Sequence, residues 1–277
     1  MLEERFEVRV ADGKLVGHRG GGGQPALLLH GGPGLSDYTQ GLAGELHALF
    51  DTIRYTQRGT PPSTVGPPYS VEAHIDDAVA VLDRAGLEQA WAIGHSWGGH
   101  LALHLAVAHP ERLLGIVCVN TLGASTDVLQ EFGETLMRDL SPDERAFAEQ
   151  VEEEQERGEA TSERLLEQFR MLWPYYFADP RAASPMPDIA FGSECAMQTW
   201  ASIGAHVAAG TLRDGLRDVR LPTLFVHGEL DPLPVKTAAE AAELIPDAVL
   251  EVLPGRGHFP WLEAPGEVRG TIERFLA

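Results

Sequence analysis

A serine lies between two glycines, each two positions away, in the stretch Ala92-Ile93-Gly94-His95-Ser96-Trp97-Gly98-Gly99. A short apolar run precedes this stretch and a helix-compatible run follows it, which predicts a strand, an abrupt turn and a helix. In such a turn, a Cβ atom at either flanking glycine would clash. Ser96 would then adopt strained backbone angles that present its hydroxyl at the end of a strand. The pattern indicates a nucleophilic serine, with an ordinary glycine-rich loop as the alternative.

A serine hydroxyl is a weak nucleophile that needs a base, and the base needs an orienting acid. Two loops late in the chain, each after an apolar run, offer them: Gly228-Glu229-Leu230-Asp231-Pro232 and Gly255-Arg256-Gly257-His258-Phe259. Among the common folds that carry a catalytic triad, the chain order serine, acid, histidine is found in the one whose serine lies in a Gly-x-Ser-x-Gly turn. Glu229 and Asp231 both remain candidate acids, with Asp231 preferred because a proline follows it.

The segment His30-Gly31-Gly32-Pro33-Gly34 follows the continuous apolar run 26–29. Three glycines and a proline in five residues predict a fixed loop. Its backbone N–H groups could point inward, as an oxyanion hole requires. A tight turn without a chemical role is the alternative.

The elements that must position these residues alternate between strand and helix patterns. The alternation predicts an α/β fold with a mostly parallel sheet and helices on both faces, with an N-terminal hairpin at the sheet edge. We expect residues 20–23, all glycine, to form a flexible connection. Residues 123–210 show helix patterns only. The sequence therefore predicts a core of residues 1–122 and 211–277, with 123–210 inserted as a helical cap.

The formal net charge of −20, from 41 acidic and 21 basic residues, argues against nucleic acid and anionic membranes as partners. Cys118 and Cys195 lie far apart in apolar contexts, as is typical of reduced thiols in a cytoplasmic protein. The acidic N-terminus predicts no signal peptide, and no apolar run approaches the roughly 18 residues of a membrane span. His100 and His104 share a helix face, but Leu101 replaces the glutamate of the zinc-protease motif. We expect no metal and no cofactor.

Over nearly its whole length the chain resembles the α/β-hydrolase superfamily. The His-Gly-Gly-Pro-Gly loop and the tryptophan after the serine make it most similar to the proline iminopeptidase-like branch. Two positions depart from that branch: Thr56 replaces the aspartate that usually precedes Gln-Arg-Gly, and His95 replaces a glycine. The resemblance implies these roles: nucleophile Ser96, orienting acid Asp231, base His258, and oxyanion-hole N–H groups of Gly32 and Trp97.

The resemblance also implies a substrate site in the cap, where carboxylates of the branch hold a free N-terminal amine beside a small apolar pocket. The matching candidates are Glu194, Trp173, Tyr175, Phe191 and Trp200. Glu194 lies about 240° around its predicted helix from Trp200, off the apolar stripe. This placement and the missing aspartate favour small uncharged or weakly polar esters over prolyl amides.

The predicted function is a serine hydrolase that cleaves an ester or amide of a small molecule through an acyl-enzyme intermediate. Three alternatives share the same triad and stay open: a proline iminopeptidase, a hydrolase of carbon–carbon bonds in β-diketone-like substrates, and a small-molecule receptor. The sequence leaves the oligomeric state undetermined.

Overall fold

Eight strands form one sheet in the computed structural model, which describes residues 3–277. In chain order they are β1 (Glu4–Val10), β2 (Gly13–Gly21), β3 (Gln24–Leu29), β4 (Phe50–Thr56), β5 (Ala90–His95), β6 (Leu113–Val119), β7 (Thr223–Gly228) and β8 (Val249–Leu253). Their order across the sheet is β1-β2-β4-β3-β5-β6-β7-β8. The β1–β2 and β2–β4 pairs are antiparallel, and all the others are parallel. The predicted α/β fold with a mostly parallel sheet is confirmed.

Helices cover both faces of this sheet. They are α1 (Gln40–Leu46), α2 (Val71–Arg84), α3 (Trp97–Ala108), α4 (Leu129–Arg138), α5 (Pro142–Glu156), α6 (Ser162–Leu172), α7 (Ser193–Ala209), α8 (Thr211–Leu216), α9 (Lys236–Leu244), α10 (Pro260–Glu263) and α11 (Glu267–Leu276). Apolar side chains of α2, α3 and α9 pack in one core, and those of α1 and α11 pack in a second core on the opposite face. The central strands are buried on both sides, which explains their continuous apolar runs.

The expectation of a flexible connection at residues 20–23 is wrong for its first half. Gly20 and Gly21 belong to β2 and pair with Thr52 and Asp51 of β4. A Cβ atom at Gly21 would overlap the carbonyl oxygen of Phe50. The glycine there permits close approach of two backbones, and it does not provide mobility.

Helices α4 to α8 lie between β6 and β7, and we call residues 120–222 the helical insertion. Leu212 and Leu216 of α8 pack in the same core as α3, so the last helix of the insertion already belongs to the sheet side. The cap boundaries 123 and 210 stay a prediction. None of the helices within residues 3–277 combines the length and hydrophobicity that a membrane crossing requires.

Candidate active site

The turn between β5 and α3 holds Ser96 in a sparsely populated conformation, with φ 56° and ψ −120°. A Cβ atom at Gly94 would overlap the carbonyl oxygen of Gly98, and one at Gly98 would overlap that of Leu29. Both glycines are therefore required by close backbone approach, as the sequence predicted. Backbone strain of this kind persists where the surrounding structure enforces it. The turn places Ser96 at the carboxyl edge of the sheet.

The loops after β7 and β8 bring an acid and a histidine together. The Nδ1 atom of His258 lies 3.0 and 2.9 Å from the two carboxylate oxygens of Asp231, and both residues are buried. Since a carboxylate accepts, Nδ1–H donates, and Nε2 of the neutral imidazole is left as an acceptor. Glu229 is exposed, and its carboxylate accepts from the N–H of Gly255 instead. Of the two candidate acids, Asp231 is the one that contacts the histidine.

Further donors converge on the Asp231 carboxylate. The N–H of Leu233 donates to Oδ1 at 2.8 Å, and the side-chain amide of Asn120 donates to Oδ2. The second amide hydrogen of Asn120 reaches the carbonyl of Gly257 at 3.1 Å, so one side chain bridges the acid loop and the histidine loop. Sequence reasoning missed Asn120. Its position directly after the buried strand β6, at the carboxyl edge that carries Ser96, was the available signal.

The two predicted oxyanion donors lie next to the serine. The N–H of Gly31 is taken by the Tyr38 hydroxyl at 2.9 Å, whereas within residues 3–277 no protein acceptor engages the N–H of Gly32. Trp97 is the first residue of α3, so its N–H has no acceptor inside the helix. Gly32 adopts φ 135°, which favours glycine. The positive end of the α3 dipole also points at Ser96.

The side chain of Gln57 links Trp97 to His30, the residue at the start of the loop that contains Gly32. The indole N–H of Trp97 donates to Gln57 Oε1 at 2.8 Å, and Gln57 Nε2 donates to the carbonyl of His30 at 2.8 Å. The backbone N–H of Gln57 also donates to His30 Nε2 at 3.0 Å. His30 therefore braces the loop, and burial lowers the pKa of its imidazole.

Ser96 and His258 open onto one cavity of about 580 Å³. Among the described residues, 3–277, its lining contains no aspartate, glutamate, lysine or arginine. The polar lining consists of hydroxyl, amide and imidazole groups, and most of the wall is apolar. Six of the apolar wall residues are Leu35, Leu129, Phe132, Leu165, Phe169 and Trp200. Such a cavity suits an uncharged molecule of modest size.

Of the five predicted substrate contacts, Phe191 and Trp200 line this cavity. Glu194 does not; it is exposed, and its carboxylate accepts from the Gln198 amide at 3.0 Å. It lies on the outer face of α7, as its helical angle from Trp200 indicated. The structure therefore places Glu194 outside this cavity, and its implied substrate contact stays a prediction.

Trp173 and Tyr175 also lie outside the cavity lining, so the structure does not bring them together with Phe191 and Trp200. Trp173 is 4% exposed and donates its indole N–H to the carbonyl of Ser184 at 2.7 Å. The Tyr175 hydroxyl donates to Glu144 at 3.0 Å. Residues 173–176 form a 3₁₀ turn, in which successive side chains point about 120° apart. Tyr176 is consequently the member of this aromatic group that reaches the cavity.

Across residues 3–277, no cluster of three or more His, Cys, Asp or Glu side chains is arranged to bind a metal ion. His100 and His104 contact each other at 3.2 Å between their Nε2 atoms. His100 Nδ1–H donates to the carbonyl of Gly123 at 2.6 Å, so the pair is engaged in protein hydrogen bonds.

The chain is similar in sequence to known enzymes over nearly its whole length. The chain is 28% identical over 279 residues to 2-hydroxymuconate semialdehyde hydrolase of Pseudomonas sp. (strain CF600), covering 94% of this chain and 89% of that protein. It is 27% identical over 272 residues to proline iminopeptidase of Lactobacillus delbrueckii subsp. bulgaricus, covering 91% and 89%.

A solved structure, that of VinJ, superposes with a TM-score of 0.74 at 24% identity, covering 99% of this chain and 98% of VinJ; at that identity it shows the fold alone. The alpha/beta hydrolase fold family matches residues 25–265, which is most of the chain. The chain therefore belongs to the alpha/beta hydrolase fold family and is a hydrolase of that fold.

Proposed function

We propose that the protein is a serine hydrolase that cleaves an ester of a small, uncharged, largely apolar molecule. Ser96 is the nucleophile, His258 the base and Asp231 the acid that orients it. The observation that carries the proposal is one cavity that holds both Ser96 and the Asp231-paired His258, and in which no residue of the described range 3–277 contributes a carboxylate, ammonium or guanidinium group to the wall.

The reaction proceeds by two-step acyl transfer. His258 Nε2 takes the proton of Ser96 Oγ as the oxygen attacks the ester carbonyl, and Asp231 stabilises the resulting imidazolium. The tetrahedral oxyanion accepts hydrogen bonds from Gly32 and Trp97, each worth about 3–4 kcal/mol to the transition state. The imidazolium then protonates the leaving alcohol. Water repeats the attack and releases the acid.

The composition of the cavity wall supports an ester substrate over a prolyl amide. A substrate with a free amine brings a cation into the cavity, and burying a cation without a carboxylate partner is costly. Glu194, the candidate partner, is exposed and outside the lining. An anionic substrate meets the converse problem, because the described wall offers no lysine or arginine. Neutral esters avoid both costs.

A carbon–carbon bond hydrolase is the second candidate. The observation that favours it is the 28% identity to the Pseudomonas hydrolase over 94% of this chain. It would use the same serine and histidine on a ketone carbonyl, so only the choice of substrate separates it from the ester hydrolase.

The test compares kcat/KM for p-nitrophenyl butanoate, prolyl p-nitroanilide and an aryl β-diketone. We expect the ester to be turned over fastest, and Ser96→Ala to lose about a million-fold of that rate. Ser125→Ala, a buried serine outside the cavity, should keep it. A serine-reactive phosphonate should label the wild type and not Ser96→Ala.

Retention of activity within about tenfold in Ser96→Ala would refute the nucleophile. Faster cleavage of the prolyl anilide or of the diketone would refute the ester preference. Phosphonate labelling without turnover of any of the three substrates would favour the receptor alternative.

A further inference from the structure

A chain of three hydrogen bonds runs beneath the serine and connects the loops around it. The N–H of Gly31 lies 2.9 Å from the Tyr38 hydroxyl, and that hydroxyl lies 2.7 Å from His95 Nδ1. His95 Nε2 lies 2.8 Å from the carbonyl oxygen of His258. The chain therefore begins beside the oxyanion donor Gly32, passes the residue directly before Ser96, and ends on the base.

The direction of every bond in this chain is determined. A carbonyl oxygen can only accept, so His95 Nε2 carries a proton and donates to His258. Burial lowers the pKa of His95 well below its ordinary value, so the ring is neutral and its Nδ1 is an acceptor. The Tyr38 hydroxyl must then donate to Nδ1, and its oxygen accepts from the N–H of Gly31. Each polar atom in the chain has one partner of the correct kind.

Packing holds the same groups in place. The Tyr38 and His95 rings meet edge to face with centroids 5.7 Å apart, and the His95 and His258 ring centroids are 4.6 Å apart. A Cβ atom at Gly31 would overlap the Tyr38 hydroxyl, so the backbone can lie close enough to donate only because this residue is glycine. His95 is fully buried.

We infer that Tyr38 and His95 are positioning residues which fix the oxyanion loop and the His258 loop relative to Ser96. Tyr38 lines the cavity, but its hydroxyl hydrogen is donated to His95, so it is not available to the substrate. The two residues instead hold the N–H of Gly32 and the imidazole of His258 in position beside the serine. This inference rests on the proposed function, because it assigns the residues to the Ser96 reaction. Removing the Tyr38 hydroxyl leaves a buried donor on Gly31 and a buried acceptor on His95 without partners, so the loop can shift.

The experiment compares Tyr38→Phe with Tyr55→Phe, using the ester and an alkyl boronic acid that forms an anionic tetrahedral adduct with Ser96. Tyr55 is buried in β4, outside the cavity lining, and its hydroxyl has no partner within the described chain, so it is a matched control. For Tyr38→Phe we expect kcat to fall roughly ten- to a hundredfold, as misplaced catalytic groups do, with KM nearly unchanged. The boronate should bind correspondingly more weakly, and Tyr55→Phe should match the wild type.

A second measurement asks whether the two residues act as one unit. In Tyr38→Phe/His95→Ala the loss of kcat should be close to that of His95→Ala alone, because each change breaks the same chain. Independent packing roles predict losses that multiply. If His95→Ala fails to fold, boronate affinity in Tyr38→Phe still decides the matter.

Retention of kcat and boronate affinity within about threefold in Tyr38→Phe overturns the inference, and so do multiplicative losses. The proposed function stands or falls separately, on Ser96→Ala. An inactive Ser96→Ala beside a fully active Tyr38→Phe refutes the positioning role alone.

Discussion

Replacing Asp231 by asparagine should nearly abolish turnover while leaving the shape of the site intact. Three donors meet the two oxygens of this carboxylate: Leu233 N–H on Oδ1, the Asn120 amide on Oδ2, and His258 Nδ1–H close to both. An asparagine offers one oxygen and one NH2 group. In either orientation an N–H therefore faces an N–H, and the site must release at least one donor.

The release that matters is at His258. If Nδ1 gives up its proton to accept from the new amide, the proton moves to Nε2, which then cannot take the proton of Ser96. This change of tautomer typically costs about 10⁴-fold in kcat, or about 5.5 kcal/mol of transition-state stabilisation. Glu229→Gln is the matched control, because it makes the same carboxylate-to-amide change on the same loop in an exposed residue.

The assay is steady-state ester hydrolysis with thermal unfolding measured in parallel. We expect Asp231→Asn to fold and to lose about 10⁴-fold of kcat, and Glu229→Gln to stay within about threefold of wild type. An Asp231→Asn variant that keeps a tenth of the activity would contradict the tautomer argument. A loss of a hundredfold in Glu229→Gln would move the orienting role to that residue.

Two further predictions concern the cavity wall and acid stability. Truncating Phe191 or Trp200 to alanine should raise KM for a neutral aryl ester several-fold in steady-state kinetics, because apolar contact with the substrate is lost. The control variants Tyr175→Phe and Glu194→Gln lie outside the lining and should leave KM unchanged. Equal effects of all four changes would contradict this placement of the residues. Burial lowers the pKa of His100 from 6.5 to about 4. Above pH 6.5 the imidazole is therefore neutral in both the folded and the unfolded chain, and its titration does not change the free energy of unfolding. Below that pH the unfolded chain takes up a proton at this position and the folded chain does not, so His100 alone should lower the free energy of unfolding by about 2 kcal/mol between pH 6.5 and about pH 5. Urea titrations should show that His100→Asn loses less stability than the wild type over this range by about that amount. An equal loss in both proteins would contradict the prediction.

The sheet could be predicted from sequence because its central parallel strands β3, β5, β6 and β7 are buried and consist of short apolar runs, whereas the parallel edge strand β8 is largely exposed. The elbow could be predicted because its geometry permits only glycine at positions 94 and 98, where a Cβ atom would meet the backbone of Gly98 in the elbow and of Leu29 in β3, respectively. The acid and the histidine followed from topology, since the loops after β7 and β8 meet Ser96 at one sheet edge. Each of these constraints acts on a residue type at a fixed spacing, and so it leaves a readable mark.

Other contacts cannot be recognised from a residue type at a fixed spacing. Tyr38, Gln57 and Asn120 bridge segments that are remote in sequence. The position of Asn120 after β6 and the motif around Gln57 draw attention to these two residues, but neither pattern identifies the groups that they contact. Two of the five predicted wall residues line the cavity, because helix periodicity separates the faces of α7 but does not indicate which residue of the turn 173–176 faces inward. Helix α1 was missed because it has only seven residues, three of them buried, which is too short for a clear period.

The helical insertion is hydrogen-bonded to both loops that the proposed reaction uses. Its residues 190–192 pair with the extension of the oxyanion loop: Gly192 N–H donates to the carbonyl of Gly34 at 2.7 Å, and Ser36 N–H donates to that of Ala190 at 3.0 Å. Its Tyr176 carbonyl accepts from the N–H of His258 at 2.8 Å.

Lifting the insertion off the sheet to admit substrate would break these bonds and release the oxyanion loop and the histidine loop together. A second route for the substrate would leave these hydrogen bonds intact. Two residues of the lining mark it: Met197 is 65% exposed and Gln155 is also exposed, so the cavity reaches solvent between α5 and α7. A substrate that enters between α5 and α7 would reach the cavity without any movement of the insertion. The same insertion thus shapes the cavity and is hydrogen-bonded to the two loops that the proposed reaction uses.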